Sequence, residues 1–158
     1  MGDQQSSVRN IAFFAALFST ALALGAALAH ALEFPNKIGL AREPYFTIQQ
    51  IYSGWSLLGL LLVVELAAML AVILLYRHDR PVMRPAVFAL LCLVAAQAVF
   101  WTFTFPANAA TSNWTVQPAD WEKFRSQWEY SHMVGALFQA GAMAALIVSV
   151  LSVRKRDF

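Results

Sequence analysis

Two short runs near opposite ends of the chain carry the same pair of side chains in mirrored order: His30-Ala31-Leu32-Glu33 and Glu129-Tyr130-Ser131-His132. Residues three apart share a helix face, so each run presents an imidazole together with a carboxylate. Several chemistries fit. Two imidazoles and two carboxylates (His30, Glu33, Glu129 and His132) could ligate a metal ion, or each carboxylate could orient and charge its imidazole. Two imidazoles alone could hold a haem iron. An imidazole could act as a general acid or base on a bound substrate. A solvated network that only holds helices together is the structural reading. His78, the one other histidine, lies in the polar run Arg77-His78-Asp79-Arg80-Pro81. Cys92 is the single cysteine, which excludes a disulfide or thiolate cluster within this sequence and reads as a small buried thiol.

Positioning these groups falls to four apolar runs, Ile11–Leu32, Trp55–Tyr76, Pro85–Phe105 and His132–Val153. About 20 apolar residues in a helix cross a bilayer. The chain is 59% hydrophobic and 13% charged, with mean hydropathy +0.57. Soluble domains carry about 25% charged residues, so half that density leaves much of the surface to lipid. The expected fold is all-α, an integral membrane antiparallel four-helix bundle with an ordered helical outer cap, a single domain over 1–158. A formal charge of +2, dispersed along the chain, gives no basis for nucleic-acid binding. The expected partners are the lipid bilayer and a lipophilic small molecule, and the sequence leaves oligomeric state open.

The charges sort by side. Arg9, Arg77, Arg80, Arg84, Arg154, Lys155 and Arg156 fall on the N-terminus, the middle turn and the C-terminus. The positive-inside rule makes that face cytoplasmic, with 33–54 and 106–131 on the outer face. Ala29-His30-Ala31 fits a signal-cleavage pattern, but the first apolar run exceeds a signal core, so the span is expected to be retained. Met1-Gly2 with Ser6 fits a myristoylation pattern and Asn113-Trp114-Thr115 a glycosylation sequon; both matter only in a eukaryote.

A first helix running outward and a last helix running inward bring His30 and His132 to similar depth, with Glu33 and Glu129 about one turn further out. Tyr45–Tyr52 contains no breaker and is expected to extend the second helix outward, with Pro44 at its start. Pro118 suits the first turn of a helix. Beyond it Trp121, Arg125, Trp128, His132, Gly135 and Gln139 recur at spacings of four and three, one stripe of a long final helix. All five tryptophans fall at or beyond the outer boundary, which points either to a packed outer structure or to independent interface anchors.

Together these residues outline an outward-opening cavity. Its mouth carries His30, Glu33, Glu129 and His132, its rim Trp101, Asn108, Trp114 and Trp128, and its base Gln97, Gln139 and Glu65. Glu65 could bond a glutamine amide or Ser19 across the helices; interhelical glue and pocket floor are equally open readings.

Phe103-Thr104-Phe105-Pro106-Ala107-Asn108, followed by Trp114, Trp121-Glu122, Arg125 and Trp128-Glu129-Tyr130-Ser131-His132, resembles the anthrone oxygenase-like family of small four-span membrane proteins, best over residues 101–140. The resemblance implies oxidation of an anthrone-type lipophilic aromatic by molecular oxygen, with no metal or flavin cofactor. It carries over Asn108, Trp128 and His132 as site residues. His132 would be the base and Asn108 a donor to the developing phenolate or enolate oxygen. His30 rests on the depth argument alone. Trp101, Trp114, Gln97, Gln139, Glu129, Glu33 and Glu65 would contact substrate. The alternative is a non-catalytic membrane subunit, or a protein that binds a small ligand, a metal ion or haem.

Overall fold

In a computed structural model, the backbone is described over residues 2–154 and side chains over 4–153. Met1, Lys155, Arg156 and the Arg154 side chain, invoked above, lie outside the described residues. The described residues form helices joined by turns, with no strand among them.

The first helix, α1, runs Gly2–Lys37 and carries Pro35 in its last turn. A turn at 38–41 leads into α2, Arg42–Gln49, where Pro44 and Glu43 occupy the first turn. A missing N–H costs nothing there, and an acid suits the positive end of the helix dipole. The expected outward extension of the second span does not form. A short 3₁₀ turn, Gln50–Tyr52, is capped by Ser53 and followed by Gly54, whose φ of 86° is left-handed. That angle favours a residue without Cβ, and it separates α2 from the next helix. A second 3₁₀ turn, Trp55–Leu57, then opens α3, Leu58–Leu75.

The polar turn over 76–79 forms as expected, with Asp79 N–H bonding Tyr76 O at 2.8 Å. The next helix, α4, spans Arg80–Val99 and begins ahead of Pro85, because Pro81 already serves its first turn. It continues through a π turn, Phe100–Thr104, into α5, Phe105–Ala110. Pro106 lacks an N–H and its ring crowds the carbonyl four residues back; a widened turn accommodates both. After α5, Ser112, Asn113 and Trp114 adopt φ of 47°, 54° and 65° in succession. Such angles are strained for L residues. Side chains hold them: Thr111 Oγ1 accepts the Trp114 N–H at 3.1 Å while donating to Ala107 O at 2.8 Å. The last helix, α6, is the long one the sequence predicts, Trp121–Arg154.

The long helices touch in a ring: α6 lies against α1 and α4, and α3 meets both α1 and α4. Small side chains line the interior of one half, among them Ala16, Ala86, Ala89 and Ala142, so the helices approach closely around Met69, Val72 and Leu146. The other end is aromatic. Tyr45 and Phe46 of α2, Trp114, and Trp121 and Trp128 of α6 form a separate buried cluster with Ala107. Three of the tryptophans therefore build a packed cap. The segments Gln4–Lys37, Trp55–Leu75, Arg80–Ala110 and Trp121–Val153 are each long and apolar enough to cross a membrane.

Candidate functional site

The two histidines meet. His30 on α1 and His132 on α6 place their ring centroids 4.2 Å apart at the aromatic end. His132 Nδ1 lies 2.8 Å from the Trp128 carbonyl one turn back. A carbonyl can only accept, so Nδ1 carries the hydrogen and Nε2 keeps its lone pair. The Trp128 ring packs 3.8 Å from the His132 ring. His30 is buried and enclosed by Tyr52, Trp55 and Trp128, at 4.5, 5.2 and 5.1 Å between centroids. Its Nδ1 makes no hydrogen bond.

The carboxylates do not pair with the imidazoles. They converge instead on Lys37, which the helical repeat places on the same face of α1 as His30 and Glu33. Lys37 is 3% exposed and Glu129 1%. Lys37 Nζ stands 3.3 Å from Glu129 Oε1 and 3.6 Å from Glu33 Oε2. It donates to the Tyr52 hydroxyl at 2.8 Å, and that hydroxyl donates in turn to Glu33. The Tyr45 hydroxyl donates to Glu129 Oε1 at 2.9 Å and accepts from the Gln49 amide at 2.5 Å. A buried carboxylate needs an opposite charge and donors to offset lost hydration, and a lysine supplies both where a neutral imidazole supplies only a hydrogen bond. Burial pushes the Tyr45 and Tyr52 phenols up, reinforced by Glu129 for Tyr45 and by Glu33 for Tyr52. Both therefore remain protonated donors at neutral pH.

The proposed metal set of His30, Glu33, Glu129 and His132 is thus split between an imidazole contact and a lysine ion pair. Among the described residues no three His, Cys, Asp or Glu side chains group to hold a metal ion. The imidazole rings also touch each other directly, so a haem would have to part them.

The remaining candidates divide. Glu65 is fully buried and accepts from the Gln139 amide, with the Thr20 side chain beside it. Ser19 is not its partner; that hydroxyl bonds the Ala15 and Ala16 carbonyls of its own helix. Gln139 lies two turns from His132 along α6, roughly 10 Å, so this pair is a separate polar node rather than the base of the histidine site. Gln97 is half-buried on α4 and takes no part in that bond. Trp101 leaves the rim altogether, 60% exposed and packed on Phe100 and Phe105. Asn108 serves the cap: its Oδ1 accepts from Trp114 Nε1 at 3.0 Å. It reaches the histidines only through Trp114, whose ring lies 6.1 Å from that of Trp128. Trp114 is buried against Tyr45 and Phe46.

Lys37, Tyr45, Gln49, Tyr52 and Trp55 belong to the site, yet motif reasoning passed over them. A signal existed. Lys37 continues the His30–Glu33 face, and Tyr45, Gln49 and Tyr52 follow spacings of four and three, one stripe of a helical segment. On the outside, beside Trp55, an apolar groove of ≈ 270 Å³ is lined by Ala26, Gly54, Trp55, Leu57 and Leu58. Trp55 lines this groove and also packs against His30.

No known protein family, curated protein or solved structure matches the chain.

Proposed function

We propose that the chain is a four-span membrane protein with both termini cytoplasmic, carrying an oxygenase-type site for a lipophilic aromatic carbon acid at its outer end. Exposed Ile11, Phe14, Leu32, Leu60 and Leu137 support the membrane reading, since a soluble surface rarely carries so many large apolar side chains on its helices. Arg77, Arg80 and Arg84, gathered at the end of the helices opposite the aromatic cap, support the orientation.

One observation carries the chemical reading: His132 has its tautomer set by the Trp128 carbonyl, with Nε2 free as a base inside an aromatic enclosure. Such a base removes a proton from the activated methylene of an anthrone-type ring system. The carbanion adds molecular oxygen, and the proton returns from His132 to give a hydroperoxide. Loss of the second C–H proton breaks the O–O bond, leaving the ring carbonyl and releasing water. One dioxygen is consumed per methylene, with one atom in the product and one in water, and no further reductant is required. The resemblance over residues 101–140 supports the same substrate class. Asn108, held by Trp114, supports the site's architecture in this scheme rather than touching the oxyanion. Anthrone added to proteoliposomes under isotopically labelled dioxygen tests the proposal: one labelled atom in the quinone carbonyl is expected, and absence of enzyme-dependent product overturns it.

A second reading is favoured by the mutual bonding of Lys37, Glu129 and Tyr45: a non-catalytic subunit or small-ligand binder whose polar cluster locks the cap. Co-purification of a stoichiometric partner, with no oxygen uptake, is its expected signature.

A further inference from the structure

Lys37 is surrounded by what an ammonium ligand requires. Its Nζ lies 4.6 Å from the ring centroids of both Tyr52 and Trp128, the distance at which an aromatic face attracts a cation. Two carboxylates and a phenol oxygen face the same nitrogen. The walls also hold acceptors that Lys37 does not use. Glu129 Oε2 and Gln49 Oε1 make no hydrogen bond, although the two residues are 1% and 2% exposed. Both side chains bond the same Tyr45 hydroxyl through their other atoms. Unmet buried acceptors ask for further N–H donors.

We propose that this cage is a binding site for a primary alkylammonium group, and that Lys37 is its tethered occupant. A primary amine is specified because Tyr52 oxygen takes an N–H at 2.8 Å, which a quaternary ammonium lacks. Lys37 is the last residue of α1, so its side chain enters the cage from the helix end rather than from mid-helix. The tether raises the local concentration of the lysine head to about the millimolar range or above, so a free amine at lower concentration enters only when Lys37 is removed. The cage shares Tyr52 and Trp128 with the histidine contact, and its test uses stability and tryptophan emission rather than oxygen uptake.

Lys37→Ala leaves room for the stem and head of n-butylammonium. Titrating that amine into the purified variant should raise Tm saturably and shift the emission of Trp128. The wild-type chain should show neither change at the same concentrations. Tetramethylammonium should act more weakly, and the double variant Lys37→Ala/Glu129→Gln should lose the response. No saturable shift in Lys37→Ala, or an undiminished shift in the double variant, overturns the proposal. Should Lys37→Ala accumulate no folded protein, Lys37→Met keeps the stem and lacks only the head. Ammonium ion should then raise its Tm saturably, and no response there overturns the proposal equally.

Discussion

Lys37 and Glu129 come from opposite ends of the chain and form a buried ion pair, Nζ to Oε1 at 3.3 Å, directly beneath the aromatic cap. The pair ties the end of α1 to the start of α6, and Tyr45 and Tyr52 tie the segment between α1 and α3 to the same centre. The histidine contact sits against this node through Tyr52 and Trp128. The cap is therefore held by charge and hydrogen bonds at its middle and by aromatic packing around them.

Removing one partner should be costly. Lys37→Met leaves the buried Glu129 carboxyl without its partner, and a broken buried pair costs about 3–5 kcal/mol. Thermal or denaturant unfolding of the purified protein measures it. Lys37→Met/Glu129→Gln should recover much of the loss, because it removes both charges together.

The tyrosines set an alkaline limit. Their ordinary pKa is 10.0, and the folded state pushes both up. Below pH 10 both phenols are protonated whether folded or not, so their contribution is fully present. Above it the unfolded phenols ionise while the folded ones hold their protons, so stability falls as pH rises. Unfolding followed from pH 8 to pH 11 should show the decline, and Tyr45→Phe/Tyr52→Phe should flatten it.

Gly54 separates the strap of α2 from α3 by a left-handed angle, with open space where a Cβ would stand. Gly54→Ala should therefore cost only the backbone term, about 1–2 kcal/mol. Gly25→Ala, helical and equally uncrowded, is the control and should not destabilise. Equal loss in both would remove the backbone explanation.

Several of these relationships were legible beforehand. Apolar run length located the four long helices, and the mirrored order of His30-Glu33 and Glu129-His132 brought the two imidazoles together. The stripe from Trp121 to Gln139 read correctly because spacings of four and three hold along an uninterrupted helix. Trp101 misled because it lies inside the π turn, which inserts an extra residue and rotates the side chains that follow. Tyr45 and Tyr52 read as a continuation of the second span because one glycine angle decides whether the chain runs on or folds back. Lys37 carries no motif of its own. Its burial depends on Glu129, a partner brought near only by the packing of α1 against α6.

Oxygen uptake by proteoliposomes supplied with an anthrone, wild type against a folded His132→Ala variant, is the direct test of the imidazole as base. A positioned base contributes about 10²–10⁴-fold, so the account predicts turnover reduced at least about a hundredfold, with the quinone product lost in parallel. Undiminished uptake in the variant would contradict it.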